Sequence, residues 1–170
     1  MEYVLRTKSL TKKFGSKIAV NAVDMNVAKG DIYGFIGRNG AGKTTAMKLI
    51  LGLLNATEGE IELFGGEPLE KARGRIGSLI EAPGIYKNCT AYENMKRFSI
   101  IYGGTDEDIA QLLKFVGLEN TGNKKAGRFS LGMKQRLGMA IAMLGNPEFL
   151  ILDEPINGLD PEGIKDIRNA

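Results

Sequence analysis

The stretch Gly37-Arg38-Asn39-Gly40-Ala41-Gly42-Lys43-Thr44 decides the fold. Glycines at 37, 40 and 42 open backbone conformations closed to other residues, so successive N–H groups can turn toward one anion. A helix predicted over residues 43–54 starts directly behind them and offers the same anion the unpaired N–H groups and positive dipole end of its first turn. At this spacing Lys43 reaches the outer phosphates of a nucleoside triphosphate, ATP or GTP, and Thr44 supplies a hard hydroxyl oxygen suited to Mg2+. The apolar run Ile32-Tyr33-Gly34-Phe35-Ile36 follows the turn Ala28-Lys29-Gly30-Asp31, so the predicted order is strand, glycine loop, helix. The candidate nucleotide contacts are therefore Gly37, Asn39, Gly40, Ala41, Gly42, Lys43, Thr44 and Thr45.

A second apolar run, Phe149-Leu150-Ile151-Leu152, has the pattern of a parallel strand buried on both faces and leads into Asp153-Glu154-Pro155. Two adjacent carboxylates are thereby placed at the carboxyl end of a strand, where open parallel sheets bind ligands. Asp153 is the candidate to hold Mg2+ through water. Glu154, on the opposite side because strand side chains alternate, is the candidate catalytic residue that orients or deprotonates the water attacking the terminal phosphate. Alone, an apolar strand ending in acids is as readily a core strand meeting solvent; behind a phosphate loop it is a site.

Around these motifs the pattern changes along the chain. Tyr3 and Leu5, then Ile18, Val20, Val23, Met25 and Val27, alternate with polar residues about the turn Phe14-Gly15-Ser16-Lys17, which predicts two antiparallel strands. Strands are also predicted over residues 60–64 and 75–80. From Thr90 to Leu144 helical periodicity takes over. Thr90 with Glu93, and Thr105 with Asp108, have the spacing of capping boxes, and Met133, Leu137, Ile141 and Leu144 share one face of a helix behind Ser130.

Composition sets bounds on function. At 170 residues, 43% hydrophobic and 25% charged, the chain has material for an ordinary globular core. A net charge of +3, from 23 basic and 20 acidic residues, is too balanced for a nucleic-acid binder. Cys89 is the single cysteine, so no internal disulfide forms and a reducing compartment fits. The absence of histidine removes histidine metal sites, histidine triads and the usual proton shuttle, leaving carboxylates and metal for catalysis. No secretory or transit pattern marks the first residues, and no apolar run approaches membrane-spanning length, so any membrane role needs another chain.

With Phe129-Ser130-Leu131-Gly132-Met133-Lys134-Gln135-Arg136 added to these two motifs, the chain resembles the nucleotide-binding subunits of ABC transporters. In that family the segment is normally Leu-Ser-Gly-Gly-Gln, so Ser130 and Gly132 match while Phe129, Leu131 and Met133 depart from it. Read by itself, Ser130 is either a helix cap or a hydroxyl presented with free N–H groups to a phosphate. The resemblance further implies that Phe14 stacks on adenine, with a core role as the alternative, and that Asp160, in Asn157-Gly158-Leu159-Asp160-Pro161, communicates across a dimer. Where the family carries a glutamine touching Mg2+ this chain has Glu81, a carboxylate that adds charge and loses the amide donor; with the signature variant it resembles the branch serving bacitracin resistance and lantibiotic self-protection.

The fold so implied is an α/β P-loop NTPase of the ABC ATPase type, with a RecA-like parallel-sheet core, an antiparallel β subdomain and a helical subdomain. Residues 1–170 would form one nucleotide-binding domain, with the helical subdomain inserted at about 86–144. The domain is expected to be incomplete at its C-terminus, since the family places a switch histidine on a strand after the helix near Pro161. The resemblance implies ATP and Mg2+ as ligands, a second nucleotide-binding domain and a transmembrane permease as partners, and no nucleic acid. Ile85, Tyr86 and Tyr92 would line the permease's docking groove, and the chain would sit in the cytoplasm on the inner face of the membrane, powering export of an antimicrobial peptide or drug. A soluble ABC ATPase acting on ribosomes or DNA, and a nucleotide-binding fragment without turnover, are the alternatives.

Overall fold

The computed structural model describes residues 2–155, which fall into two compact units, the first ending at Ile76 and the second beginning at Gly77. In the first, β1 (Tyr3–Phe14) and β2 (Lys17–Ala28) pair antiparallel with Phe14 opposite Lys17 across a two-residue turn, and β3 (Glu58–Leu63) pairs with the other edge of β1. The β1–β2 register shifts several times. Buried threonines take the hydrogen bonds that the bulges would leave open. Thr7 Oγ1 donates to the Val23 carbonyl at 2.9 Å and accepts from Met25 N at 2.9 Å, and Thr11 Oγ1 accepts from Ala22 N at 3.0 Å. Leu5, Leu10, Met25, Val27 and Leu63 on the sheet and Ala46, Leu49 and Ile50 on helix α1 (Lys43–Ile50) are among this unit's buried apolar residues.

Helix α1 stops at Ile50, earlier than its periodicity predicts. Gly52, at φ +75°, terminates it: Gly52 N donates to Leu49 O at 3.1 Å and Leu53 N to Lys48 O at 2.9 Å, a left-handed glycine cap. From the short helix α2 (Leu69–Arg73), Arg73 adds a cation at the same end, donating from Nε to Ile50 O at 3.1 Å.

The predicted strand at residues 32–36 does not form. Ile32 and Ile36 are exposed, and the segment pairs with no strand among the described residues. An all-apolar run is a strand only when neighbours cover both its edges and faces, and local sequence cannot supply those neighbours.

β4 (Ile76–Leu79), in the second unit from Gly77 onward, pairs with β5 (Phe149–Leu152). Helices α3 (Ala91–Tyr102), α4 (Asp106–Phe115) and α5 (Leu131–Ala142) lie between them in sequence, the long crossover that a parallel pair requires. Both predicted capping boxes are present: Glu93 N donates to Thr90 Oγ1 at 3.1 Å and Thr90 N to Glu93 Oε2 at 2.7 Å, and Thr105 and Asp108 repeat the exchange. The core joins Leu79, Met95, Ile109, Leu113, Phe129, Leu137 and Leu144, with Met133 and Ile141 packed against it, so the predicted face of α5 is core. β5 is less enclosed than its sequence predicts: Ile151 is buried while Leu150 is partly exposed.

Candidate functional site

The phosphate-loop residues belong to the first unit. Gly42 caps α1 at φ +91° with no side-chain hydrogen bond, and the first turn of the helix carries no acid. A Cβ on Gly42 would stand 2.0 Å from the Ala19 carbonyl oxygen, so only glycine fits, whereas Gly40, at φ +79°, faces open space. Lys43 Nζ donates to the carbonyls of Gly37 at 2.8 Å and Arg38 at 3.3 Å, and Ala41 N donates to Arg38 O at 3.0 Å, which folds the loop around the ammonium. A helix start without carboxylates and an ammonium on one loop suit a polyanion, so these residues fit a triphosphate. Asn39, Gly40 and Ala41 are exposed; Thr44 and Thr45 are half-buried in the first turn of α1.

Phe14 ends β1 and is 50% exposed, with Lys12 Nζ 5.1 Å from its ring centroid. That exposure removes the core alternative and leaves an aromatic face available to a base.

The acidic residues belong to the second unit, and the structure gathers them at one end of its sheet. Asp153 N donates to Leu79 O at 2.8 Å, so Glu81, two residues past Leu79, and Asp153 and Glu154, just past β5, leave neighbouring strand ends. Asp153 is buried and Glu154 exposed, the placement on opposite sides that the sequence predicts, although both lie past the end of β5 and are no longer strand residues. Glu81 at φ +59° and Glu154 at φ +47° both occupy the left-handed region, a strained backbone for glutamate that costs on the order of 1–3 kcal/mol and concentrates at functional sites. Among the described residues no group of three or more His, Cys, Asp or Glu could cage a metal. Mg2+ takes carboxylate and hydroxyl oxygens completed by substrate phosphate and water, and Thr44 in the first unit and Asp153 and Glu81 in the second are each a donor of that type.

Ser130 caps α5, its Oγ accepting from Met133 N at 3.2 Å, and Gly132 is buried in the first turn. Of the residues that depart from the family segment, Phe129 is core and Leu131 is 65% exposed. Asp160 lies outside the described residues.

The segment after Glu81 is pinned by Asn94, which sequence reasoning missed. Fully buried on α3, its Oδ1 accepts from Tyr86 N at 2.7 Å and its Nδ2 donates to the carbonyls of Tyr86 and Thr90 at 3.1 and 2.8 Å. Asn94 occupies the apolar stripe of Ala91, Met95 and Phe98, and a polar residue on such a stripe is the signal that could have found it. Tyr86, held there, is 51% exposed and Tyr92, on α3, is 44% exposed, while Ile85 packs against the core. A hydrogen bond to Asp106 holds the Tyr92 hydroxyl above the usual phenol range, and Asp106 itself is held below the usual carboxylate range, chiefly by Lys96.

Residues 20–157 match the family model described as ABC transporter. The chain belongs to the ABC transporter family. It is 49% identical over 173 residues to the bacitracin transport ATP-binding protein BcrA of Enterococcus faecalis, covering 99% of this chain and 56% of that relative. It is 47% identical to the lantibiotic transport ATP-binding protein SrtF of Streptococcus pyogenes, over 97% of this chain and 72% of that one. A dimeric ATP-binding cassette solved in a post-hydrolysis state with ADP and Pi superposes with a TM-score of 0.83 at 28% identity, over 97% of this chain and 80% of that one. The fold is that of a P-loop ABC ATPase domain, with antiparallel and parallel sheets, and domains of this family bind nucleotide. The chain spans little more than half the length of the bacitracin relative, and no helix among its described residues is long and apolar enough to cross a membrane.

Proposed function

We propose that this chain binds and hydrolyses ATP to drive a membrane transporter exporting an antimicrobial peptide or drug of the bacitracin or lantibiotic kind. The observation that carries the reading is the acid-free start of α1, with Gly42 as its left-handed cap and Lys43 held over the loop carbonyls. The likeness to the bacitracin and lantibiotic transport ATP-binding proteins supplies the cargo class.

In this reading the loop N–H groups and Lys43 grip the β- and γ-phosphates, and Phe14 stacks on the adenine. The Thr44 hydroxyl, Glu81 and, through water, Asp153 would hold Mg2+, which would supply positive charge beside the phosphates. Glu154 orients the attacking water and accepts its proton. Ser130 and Gly132, at the start of α5, and Asp160 face a second nucleotide-binding domain, so that two copies close on two ATP molecules. Tyr86, Tyr92 and Ile85 present a surface to the cytoplasmic side of a permease. The chain works on the inner face of the cell membrane, as part of a nucleotide-binding domain whose helical portion covers about residues 86–144.

Calorimetry and phosphate release test this together. Lys43→Ala lowers ATP affinity by roughly tenfold or more, and Glu154→Gln keeps binding while abolishing turnover. Unchanged affinity in the first variant, or persistent turnover in the second, refutes the assignment.

A further inference from the structure

The conformation of Glu81 needs a cause. Glu81 takes up the left-handed region at an exposed position, a strained conformation for glutamate that persists only where its surroundings hold it. The chain is anchored on both sides of it.

On the upstream side, β4 lies hard against the C-terminal end of α5. A Cβ on Gly77 would meet the Ala142 carbonyl oxygen at 1.9 Å, and Leu79 is tied to β5 through its bond from Asp153 N. On the downstream side, Pro83 is the first residue past Glu81 that is not exposed, and it rests on α5 at Gly138. A Cβ on Gly138 would stand 2.6 Å from Pro83 Cβ and 2.9 Å from Leu79 Cδ1. Gly138 and Ala142 are four residues apart and share one face of the helix, so one ridge of α5 receives both ends of the segment carrying Glu81. Pro83 also confines Ala82 to extended backbone, which leaves Glu81 as the residue that takes up the turn.

We infer that Gly138 is a positioning residue for Glu81: its missing side chain makes the seat for Pro83 that holds the Glu81 turn at the end of β4. The inference rests on the proposed reading of Glu81 as a carboxylate acting on Mg2+. A methyl group at Gly138 pushes against a rigid ring. Leu79 can swing aside; Pro83 cannot without carrying the turn with it.

The test is the Mg2+ dependence of ATP binding, with amide and Cα chemical shifts of residues 80–84 as a second readout. Gly138→Ala and Pro83→Ala each shift half-saturation by Mg2+ on the order of tenfold, the range for residues that orient a metal ligand, and leave Mg2+-free ATP binding unchanged. Glu81→Gln shifts the same midpoint in wild type and adds nothing in the Gly138→Ala background. Should Gly138→Ala not fold, Pro83→Ala carries the test from the loop side.

Wild-type Mg2+ dependence in both single variants, or a Glu81→Gln shift that is additive with Gly138→Ala, overturns the inference while leaving the nucleotide site intact. A Glu81→Gln variant with wild-type Mg2+ dependence removes the metal role of Glu81 and overturns it also. Loss of ATP binding itself is the failure of the proposed function, visible before any Mg2+ titration.

Discussion

Replacing Asn94 should show how much the display of Tyr86 depends on one buried amide. The side chain has two N–H donors and one oxygen. The oxygen takes Tyr86 N at 2.7 Å, and the donors serve Thr90 O at 2.8 Å and Tyr86 O at 3.1 Å, with Cys89 O further off at 3.4 Å. Three well-made bonds disappear in Asn94→Ala. The carbonyls retain other donors, since Cys89 N bonds Tyr86 O, Asn94 N bonds Thr90 O and Ala126 N bonds Cys89 O; Tyr86 N is the group left without a replacement. At about 1 kcal/mol net for each lost bond, plus the cost of an orphaned donor at a partly exposed site, the expected destabilisation is about 2–4 kcal/mol. Asn94→Asp separates hydrogen bonding from space filling. It preserves volume but aims a carboxylate at carbonyl oxygens in a fully buried position, so it should be worse than alanine at neutral pH. The new carboxyl would have its pKa raised by burial. Stability is therefore retained below the ordinary carboxylate range and lost as pH rises through the raised folded value. Urea unfolding followed by far-UV circular dichroism measures all three proteins. Asn94→Asp as stable as Asn94→Ala near neutral pH, or both within about 0.5 kcal/mol of wild type, would refute the pinning role.

Two further outcomes follow from backbone and cap geometry. Gly40→Ala, at φ +79° in open space, should cost only the left-handed penalty of about 1–2 kcal/mol, whereas Gly42→Ala adds a collision with the Ala19 carbonyl and should cost clearly more; equal urea midpoints would show that the close approach is not real. Glu93 and Asp108 are held below the usual carboxylate range, first by backbone N–H bonds from Thr90 and Thr105, with Lys125 also acting on Glu93. For depressed carboxylates the stabilisation is present above the ordinary value, near about pH 4, and disappears as pH falls through the lowered one. The Tm gap between wild type and Asp108→Asn should accordingly be steady at neutral pH and close on acidification; a gap unchanged into strong acid removes the charged cap from the account.

What could be read from the sequence, and what could not, divides by range. The phosphate loop and the capping boxes are complete within a few residues, because a helix start needs only a hydroxyl, an acid three positions on and a free N–H, and all three sit on the same turn. The place of the acidic pair was legible because the apolar run of β5 leads straight into it, whereas the left-handed backbone of Glu154 was not. Residues 32–36 failed because an apolar run states only that something must cover it, and the covering partner is not local. Asn94 and Gly138 were missed for a related cause. An asparagine in a helix and a glycine in a helix each read as weak residues until the opposing groups, Tyr86 in one case and Pro83 in the other, are placed against them. Both opposing groups lie in the segment that follows Glu81. The one departure from the family's glutamine therefore sits at the head of a segment held by two residues whose roles depend wholly on tertiary contact. A substitution at Glu81 changes the charge there, while Gly138→Ala presses on Pro83 and Asn94→Ala releases Tyr86, both further along the same segment. Only measurements that separate metal dependence from stability can tell these two effects apart.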